Sequence, residues 1–228
     1  MSIIFEERWS DSPYIESVIR GRTVSDGAPT RPAETHWHMV FSKWNGCVYP
    51  LVVGPWSTSG VVTYGEGAEI LWIKFKLGTF MPHLPTRKML NTETLLPTAT
   101  NQSFWLHGSA WQFPDFENVE TFVDRLVRED ALVSDPVVIA ALQDQLKPEA
   151  VSARTVRHRF LQATGLSQNH IYQFKRAKQA AALLEQGVPI LDTVYEAGYF
   201  DQPHLTRSLK RFIGKTPAQQ LVSVTQPG

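Results

Sequence analysis

GVPILDTVYEAGYFDQPHLTRSLKRFIGKTP, residues 187–217, is the stretch of this 228-residue chain on which its reading turns. Pro189 suits the first turn of a helix because its fixed φ is already helical, and Gly198 suits the end of the helix. Asp201 is a good cap for a second helix, in which Leu205, Leu209 and Phe212 recur at i, i+4 and i+7. Gln202, His204, Thr206, Arg207, Lys210 and Arg211 then fall on the outer face, and Gly214 and Pro217 end the segment. A short helix, a tight turn at Gly198-Tyr-Phe-Asp201 and a second helix with a polar, basic outer face make a helix-turn-helix, whose second helix enters the DNA major groove. Glutamine matches an adenine edge and arginine the O6 and N7 of guanine. Gln202, His204 and Arg207 occupy the first two turns, where base readers lie; the plainer alternative is a helical bundle with a solvated charged face.

Upstream, residues 168–186 place Ile171, Phe174, Ala177, Ala181 and Leu184 at helical spacing and stop at Gly187. Before that, Ser152 is a good N-cap and Gly165 a good C-terminal stop, with Val156, Phe160 and Ala163 as the buried stripe and Arg154, Arg157 and His158 outside. This helix is a second candidate reader. The connecting helix spans about 28 Å at 1.5 Å per residue. That approaches the repeat of about 34 Å between major-groove faces, so one protomer is expected to reach two adjacent grooves.

These residues resemble the signature of AraC/XylS-type transcriptional regulators. The specific pieces are Gly-Tyr-Phe-Asp-Gln (198–202), Leu-Thr-Arg (205–207) and Gly-Lys-Thr-Pro (214–217), and the likeness extends back through Thr164-Gly-Leu-Ser167 to Ser152. The resemblance implies that Gln202, Pro203, His204 and Arg207 are base-facing, that Arg154, Arg157 and His158 play that part in the first unit, and that Thr206, Lys210 and Arg211 lie nearer phosphate. The sequence departs from the pattern ahead of Ser152, where the family has two helices. Here residues 137–146 leave room for one, followed by Lys147-Pro-Glu-Ala-Val151.

Charge divides the chain. The formal net charge is zero, with 22 basic and 22 acidic side chains, which argues against a uniformly basic coat protein. Residues 1–134 nevertheless hold 11 basic and 15 acidic groups, whereas 150–228 hold 10 basic and 4 acidic. All seven tryptophans and the one cysteine lie in the first part. Such asymmetry marks two domains with different partners, here 1–134 and 135–228, the basic one being the candidate for an anionic surface.

The front part reads as strands and turns, with short Val-, Ile-, Trp- and Phe-rich runs at 48–53, 60–64 and 69–77. In the last, Leu71, Ile73, Phe75 and Leu77 share one face and Trp72, Lys74 and Lys76 the other. The proline-rich 78–97 reads as a loop with one helical turn. Residues 119–132 form an amphipathic helix expected to bridge the halves. The front half also resembles, at Val52-Val-Gly-Pro55 and Ile73–Gly78, the β-barrel sensor domains of some AraC/XylS-type members.

His36 and His38, two apart on a strand, point to one side and suit a metal, but Met39–Ser42 offers no acid, and His83 and His107 have Pro or Gly neighbours; packed or hydrogen-bonding histidines are the default. Aromatic walls bind flat apolar molecules, which makes Trp37 and Trp72 candidate ligand contacts, although tryptophans fill cores equally well. Cys47 has no basic neighbour to make a thiolate and is expected as a buried small apolar group. One cysteine excludes an internal disulfide, a multi-thiolate zinc site and the methyl-transfer repair chemistry of some relatives. No phosphate loop or nucleophile elbow is present. The opening MSIIFEERWS lacks the basic start and apolar core of a signal peptide, and no apolar run of about 18 occurs, so a cytoplasmic protein off the membrane is expected.

The expected fold is α+β: a β-rich barrel or sandwich, then an all-α domain with two helix-turn-helix units joined by a long helix. The expected function is sequence-specific binding of double-stranded DNA to regulate transcription, with no catalysis, no cofactor and no metal. Control by a small-molecule effector in the front half, contact with RNA polymerase in the case of an activator, and a homodimer are left open. So are two rivals: a metal-dependent cupin-like enzyme using His36 and His38, and a protein-interaction module with a basic helical face.

Overall fold

Leu71, Ile73 and Phe75 are buried while Trp72 is exposed, the alternation of a strand with one face on a core. In the computed structural model, which describes residues 3–145 and 151–225, this strand is central to an antiparallel six-stranded sheet. The strands are β1 (Ile3–Trp9), β2 (Ile15–Thr23), β3 (Thr30–Arg31), β4 (His38–Trp44), β5 (Cys47–Val53), β6 (Gly60–Val61), β7 (Glu69–Phe75), β8 (Thr79–Phe80) and β9 (Glu93–Leu95). Short strands β10 (Thr98–Thr100), β11 (Ser103–Leu106), β12 (Ser109–Gln112) and β13 (Val133–Ser134) follow. The helices are α1 (Val119–Arg128), α2 (Pro136–Leu142), α3 (Ala153–Thr164), α4 (Gln168–Glu185), α5 (Ile190–Glu196), α6 (Gln202–Phe212) and α7 (Pro217–Thr225).

The large sheet runs β1-β2-β7-β4-β5-β9. Register is set by apolar pairing on the inner face: Phe41 stands opposite Leu71, and Met39 opposite Ile73. Asn45 and Gly46, at φ 49° and 78°, turn the β4–β5 hairpin, the left-handed pair that matches strand twist. Over the inner face lie Phe104, Trp111 and the buried side of α1, with Val119, Phe122, Val123 and Leu126.

The chain packs as two compact units interleaved along the sequence: residues up to Gly27, His36–Pro55 and Thr63–Ser167 form one, and Ala28–Thr35, Trp56–Val62 and the chain from Gln168 form the other. The first unit therefore includes α3, which packs against α2 and the 3-10 turn Thr86–Met89. The second includes the ribbon of β3 and β6 together with α4 to α7.

Several expectations need correction. Trp37 is a core residue: its ring stacks on Phe75 at 4.0 Å and its indole N–H donates to the Thr79 carbonyl at 2.6 Å, so packing and that bond consume the side chain. Cys47 is exposed, because it follows the hairpin turn directly. The run at 60–64 is a strand only over Gly60–Val61. The proline-rich loop does hold one short helical turn, but also β8 and β9. Helix α7 was not anticipated, since Pro217 starts a helix as well as closing the preceding segment. Between residue 135 and α3 the described residues hold one helix, α2, and residues 146–150 lie outside the described residues.

Candidate nucleic-acid interface

Helix α6 begins where the Asp201 carboxylate accepts the His204 backbone N–H at 2.7 Å, satisfying one of the donors a helix start leaves open. Pro203 falls in the first turn, where its missing N–H costs nothing. Leu205, Ser208, Leu209 and Phe212 are buried. Gln202, Pro203, Arg207, Lys210 and Arg211 are exposed, forming a polar ridge along one side of the helix. Among the described residues the side chains of Gln202 and Arg207 have no hydrogen-bond or ion-pair partner, so both are available to a ligand.

Two other outer positions are partly buried and have partners of their own. His204 is half-buried, its ring edge-on to Tyr199 at 5.1 Å and its Nε2 3.5 Å from Arg176 Nη2. The Thr206 hydroxyl donates back to the Gln202 carbonyl at 2.9 Å.

The turn before α6 is held by residues whose part the motif does not announce. Tyr199 is buried, and its hydroxyl bonds the Ser208 hydroxyl at 2.8 Å. Arg176, on α4, lies over the Tyr199 ring at 4.3 Å, donates to the Gly198 carbonyl at 3.2 Å and to Gln173 Oε1 at 2.6 Å. A basic residue on a helix face reads as surface in a sequence, so no local signal marks Arg176 as the clamp of the turn. Phe200, beside it, is 90% exposed, and it too escaped the reading.

In the first unit, Ser152 caps α3 by accepting the Thr155 N–H at 3.2 Å, and Gly165 closes it at φ 70°. Arg154, Arg157 and His158 are all exposed on it. Arg159 turns the other way, 3.3 Å from Asp135, which caps α2.

The histidines and tryptophans singled out in the front half are used within the same unit. His36 Nε2 lies 2.7 Å from Glu16 Oε2, and His38 stands edge-on to Trp72 at 5.3 Å. His83 and His107, 24 positions apart, stack at 4.4 Å, and burial, then the neighbouring imidazole, lower the His83 pKa. Among the described residues no three His, Cys, Asp or Glu side chains gather as a metal-holding group. A cavity of about 920 Å³ opens on the inner sheet face, floored by Phe41, Leu71 and Phe113 and rimmed by Arg20, Arg22 and Lys43; Trp37 and Trp72 do not line it.

Comparison with protein families matches residues 148–221 to the family described as helix-turn-helix domain. Among curated proteins, the HTH-type transcriptional regulator RipA of Corynebacterium glutamicum is 33% identical over 87 residues, 38% of this chain. The chain spans about a quarter of that relative's length, 26%. Among solved structures, ToxT from Vibrio cholerae aligns over 99% of this chain and 100% of its own at 9% identity and a TM-score of 0.39, a likeness too remote to build on. The family match, the capped turn and the outward ridge of α6 coincide in the same residues, and the chain carries a helix-turn-helix domain over 148–221.

Proposed function

We propose that the protein is a sequence-specific DNA-binding regulator of transcription. The observation that carries this reading is α6 itself, a capped helix whose exposed edge offers Gln202 and Arg207, neither with a side-chain partner among the described residues, and whose last turn exposes Lys210 and Arg211. Lysines and arginines release counterions from phosphates and give salt-sensitive affinity blind to sequence. Gln202, His204 and Arg207, with Pro203 against the groove, then choose the site, each good base contact being worth about 1–3 kcal/mol of discrimination. Phe200 adds an exposed apolar group suited to a thymine methyl. Thr206, Lys210 and Arg211 face phosphate, and Arg154, Arg157 and His158 of α3 are the base-facing groups of the first unit.

Selection of bound duplexes from a random pool tests this directly. A recovered motif supports the reading, and steep salt dependence with no motif overturns it. Arg207→Ala is expected to flatten preference at one base position. Lys210→Ala is expected to weaken selected and scrambled duplexes alike and to lower the salt slope by about 1. Equal losses on both duplexes for both variants would remove the division of labour.

The inner-face cavity supports control by a small molecule with an apolar body, which Phe41, Leu71 and Phe113 would cover. Phe41→Trp, which fills the cavity floor, is expected to abolish any effector-dependent change in DNA affinity while leaving basal binding in place.

A further inference from the structure

A helix leaves its last four carbonyls without partners in the helix, and at α6 those belong to Leu209, Lys210, Arg211 and Phe212. Leu209 is served locally, by the Ile213 and Gly214 amides at 2.8 and 3.0 Å. The other three are served from residues about 150 or more positions earlier in the chain. The Ser59 hydroxyl donates to the Lys210 carbonyl at 3.0 Å, the Ser59 amide to Arg211 at 2.7 Å, and the Ala33 amide to Phe212 at 2.7 Å. These donors belong to one ribbon, built by the β3–β6 pairing, by the mutual backbone bonds of Glu34 and Trp56 at 3.0 and 2.7 Å, and by Arg31 stacked on the Trp56 ring at 3.8 Å.

The fit continues around the end of the helix. Ala33 is buried with Phe174, Ala177 and Phe212. His170, on α4, stands edge-on to Phe212 at 5.3 Å and is hydrogen-bonded to the backbone of Ser57. Gly214 has φ 85°, and a Cβ there would meet Thr30 Cγ2 at 2.5 Å and Ser59 Cβ at 3.2 Å. The ribbon therefore contacts α6 through backbone bonds, a buried side chain and a glycine-sized gap.

We propose that the ribbon of residues 28–35 and 56–62 is a positioning element of the DNA reader: by capping the C-terminal end of α6 it sets the pitch at which Gln202 and Arg207 meet the bases, so that base discrimination, and not general DNA affinity, depends on it. The inference rests on the regulator reading above. A helix held at both ends, by Asp201 at its start and by the ribbon at its finish, keeps its readers in one orientation. A helix held only at its start is free to tilt, and a small tilt moves a bidentate contact out of register while a phosphate contact to a long lysine survives it.

The test uses the full chain and two duplexes, one selected by the wild-type protein from a random pool and one scrambled. Ser59→Ala, which deletes the hydroxyl bond to Lys210, is expected to weaken the selected duplex about fivefold with the scrambled duplex unchanged, and Ser59→Thr to restore it. Gly214→Ala is expected to cost about tenfold or more on the selected duplex alone, and Thr30→Ser, which removes the methyl in the way, to recover about threefold of that loss in the double variant. Discrimination unchanged in Ser59→Ala, or no coupling between positions 30 and 214, overturns the proposal. If Gly214→Ala does not fold, the Ser59 pair decides alone. A wild-type chain that selects no motif sinks the regulator reading instead, which keeps the two failures apart.

Discussion

Arg8 and Glu120 are unremarkable charged residues 112 positions apart, yet they form a doubly hydrogen-bonded ion pair. Arg8 donates to both carboxylate oxygens, at 2.6 and 2.8 Å, and to the Phe116 carbonyl at 2.7 Å, while the Ser10 hydroxyl donates to Glu120 at 2.8 Å. Those bonds, the one from Arg8 foremost, hold the Glu120 carboxyl at about 2 against an ordinary 4.5, although partial burial works against them. A carboxyl whose pKa falls on folding stabilises the protein above its unfolded value, so this contribution is complete above about 4.5 and fades as the pH drops towards 2. The side chains are about a third exposed, so screening keeps the effect small. Glu120→Gln is expected to lower stability by about 1 kcal/mol at neutral pH and by progressively less in acid, as denaturant titrations at several pH values would show. Trp37→Ala is expected to be far more damaging, by about 3–5 kcal/mol, because it empties the space beside Phe75 and removes the indole donor to the Thr79 carbonyl.

At the level of the element, α6 was the most legible part of the chain. Its start at Asp201, its apolar stripe through Leu205, Leu209 and Phe212, and its outer ridge all follow from a period of 3.6 and from capping chemistry within a dozen residues. Asp201→Ala is expected to cost about 1 kcal/mol in thermal unfolding and Asp201→Asn much less, since the amide oxygen still accepts the His204 N–H. Strand β7 was legible for the same kind of reason, a period of two. The far end of α6 was not. Gly214 read as an ordinary helix stop, and nothing near it in sequence names Ser59 or Ala33 as the donors that complete it. Tyr199 and Arg176 were likewise opaque, because a stacked guanidinium and a hydroxyl pair are choices of side-chain direction that composition does not encode.

Across the whole molecule, titration is expected to weaken the fold on the acid side of neutrality. His83 and His170 both have pKa values below the ordinary 6.5, mainly through burial, with His107 adding to the effect on the first and Arg211 on the second. The unfolded chain therefore binds protons that the folded chain refuses. Their contribution is whole above about 6.5 and is lost as the pH falls through that value towards the folded ones; His170→Gln is expected to flatten the dependence, and a wild-type stability profile already flat there would count against it. The zero net charge of the chain is no guide to its salt response, because the basic surplus is concentrated after residue 150. The class of fold, the capped turn and the basic outer face of α6 were determined by the amino-acid order alone, since each depends on contacts between near neighbours. The interleaving of two compact units, the sealing of Trp37 into the core, the exposure of Cys47 and the ribbon on the last turn of α6 were decided by tertiary structure, because pairing between distant segments depends on complementary shape and unspent backbone donors, which leave no periodic trace in a sequence.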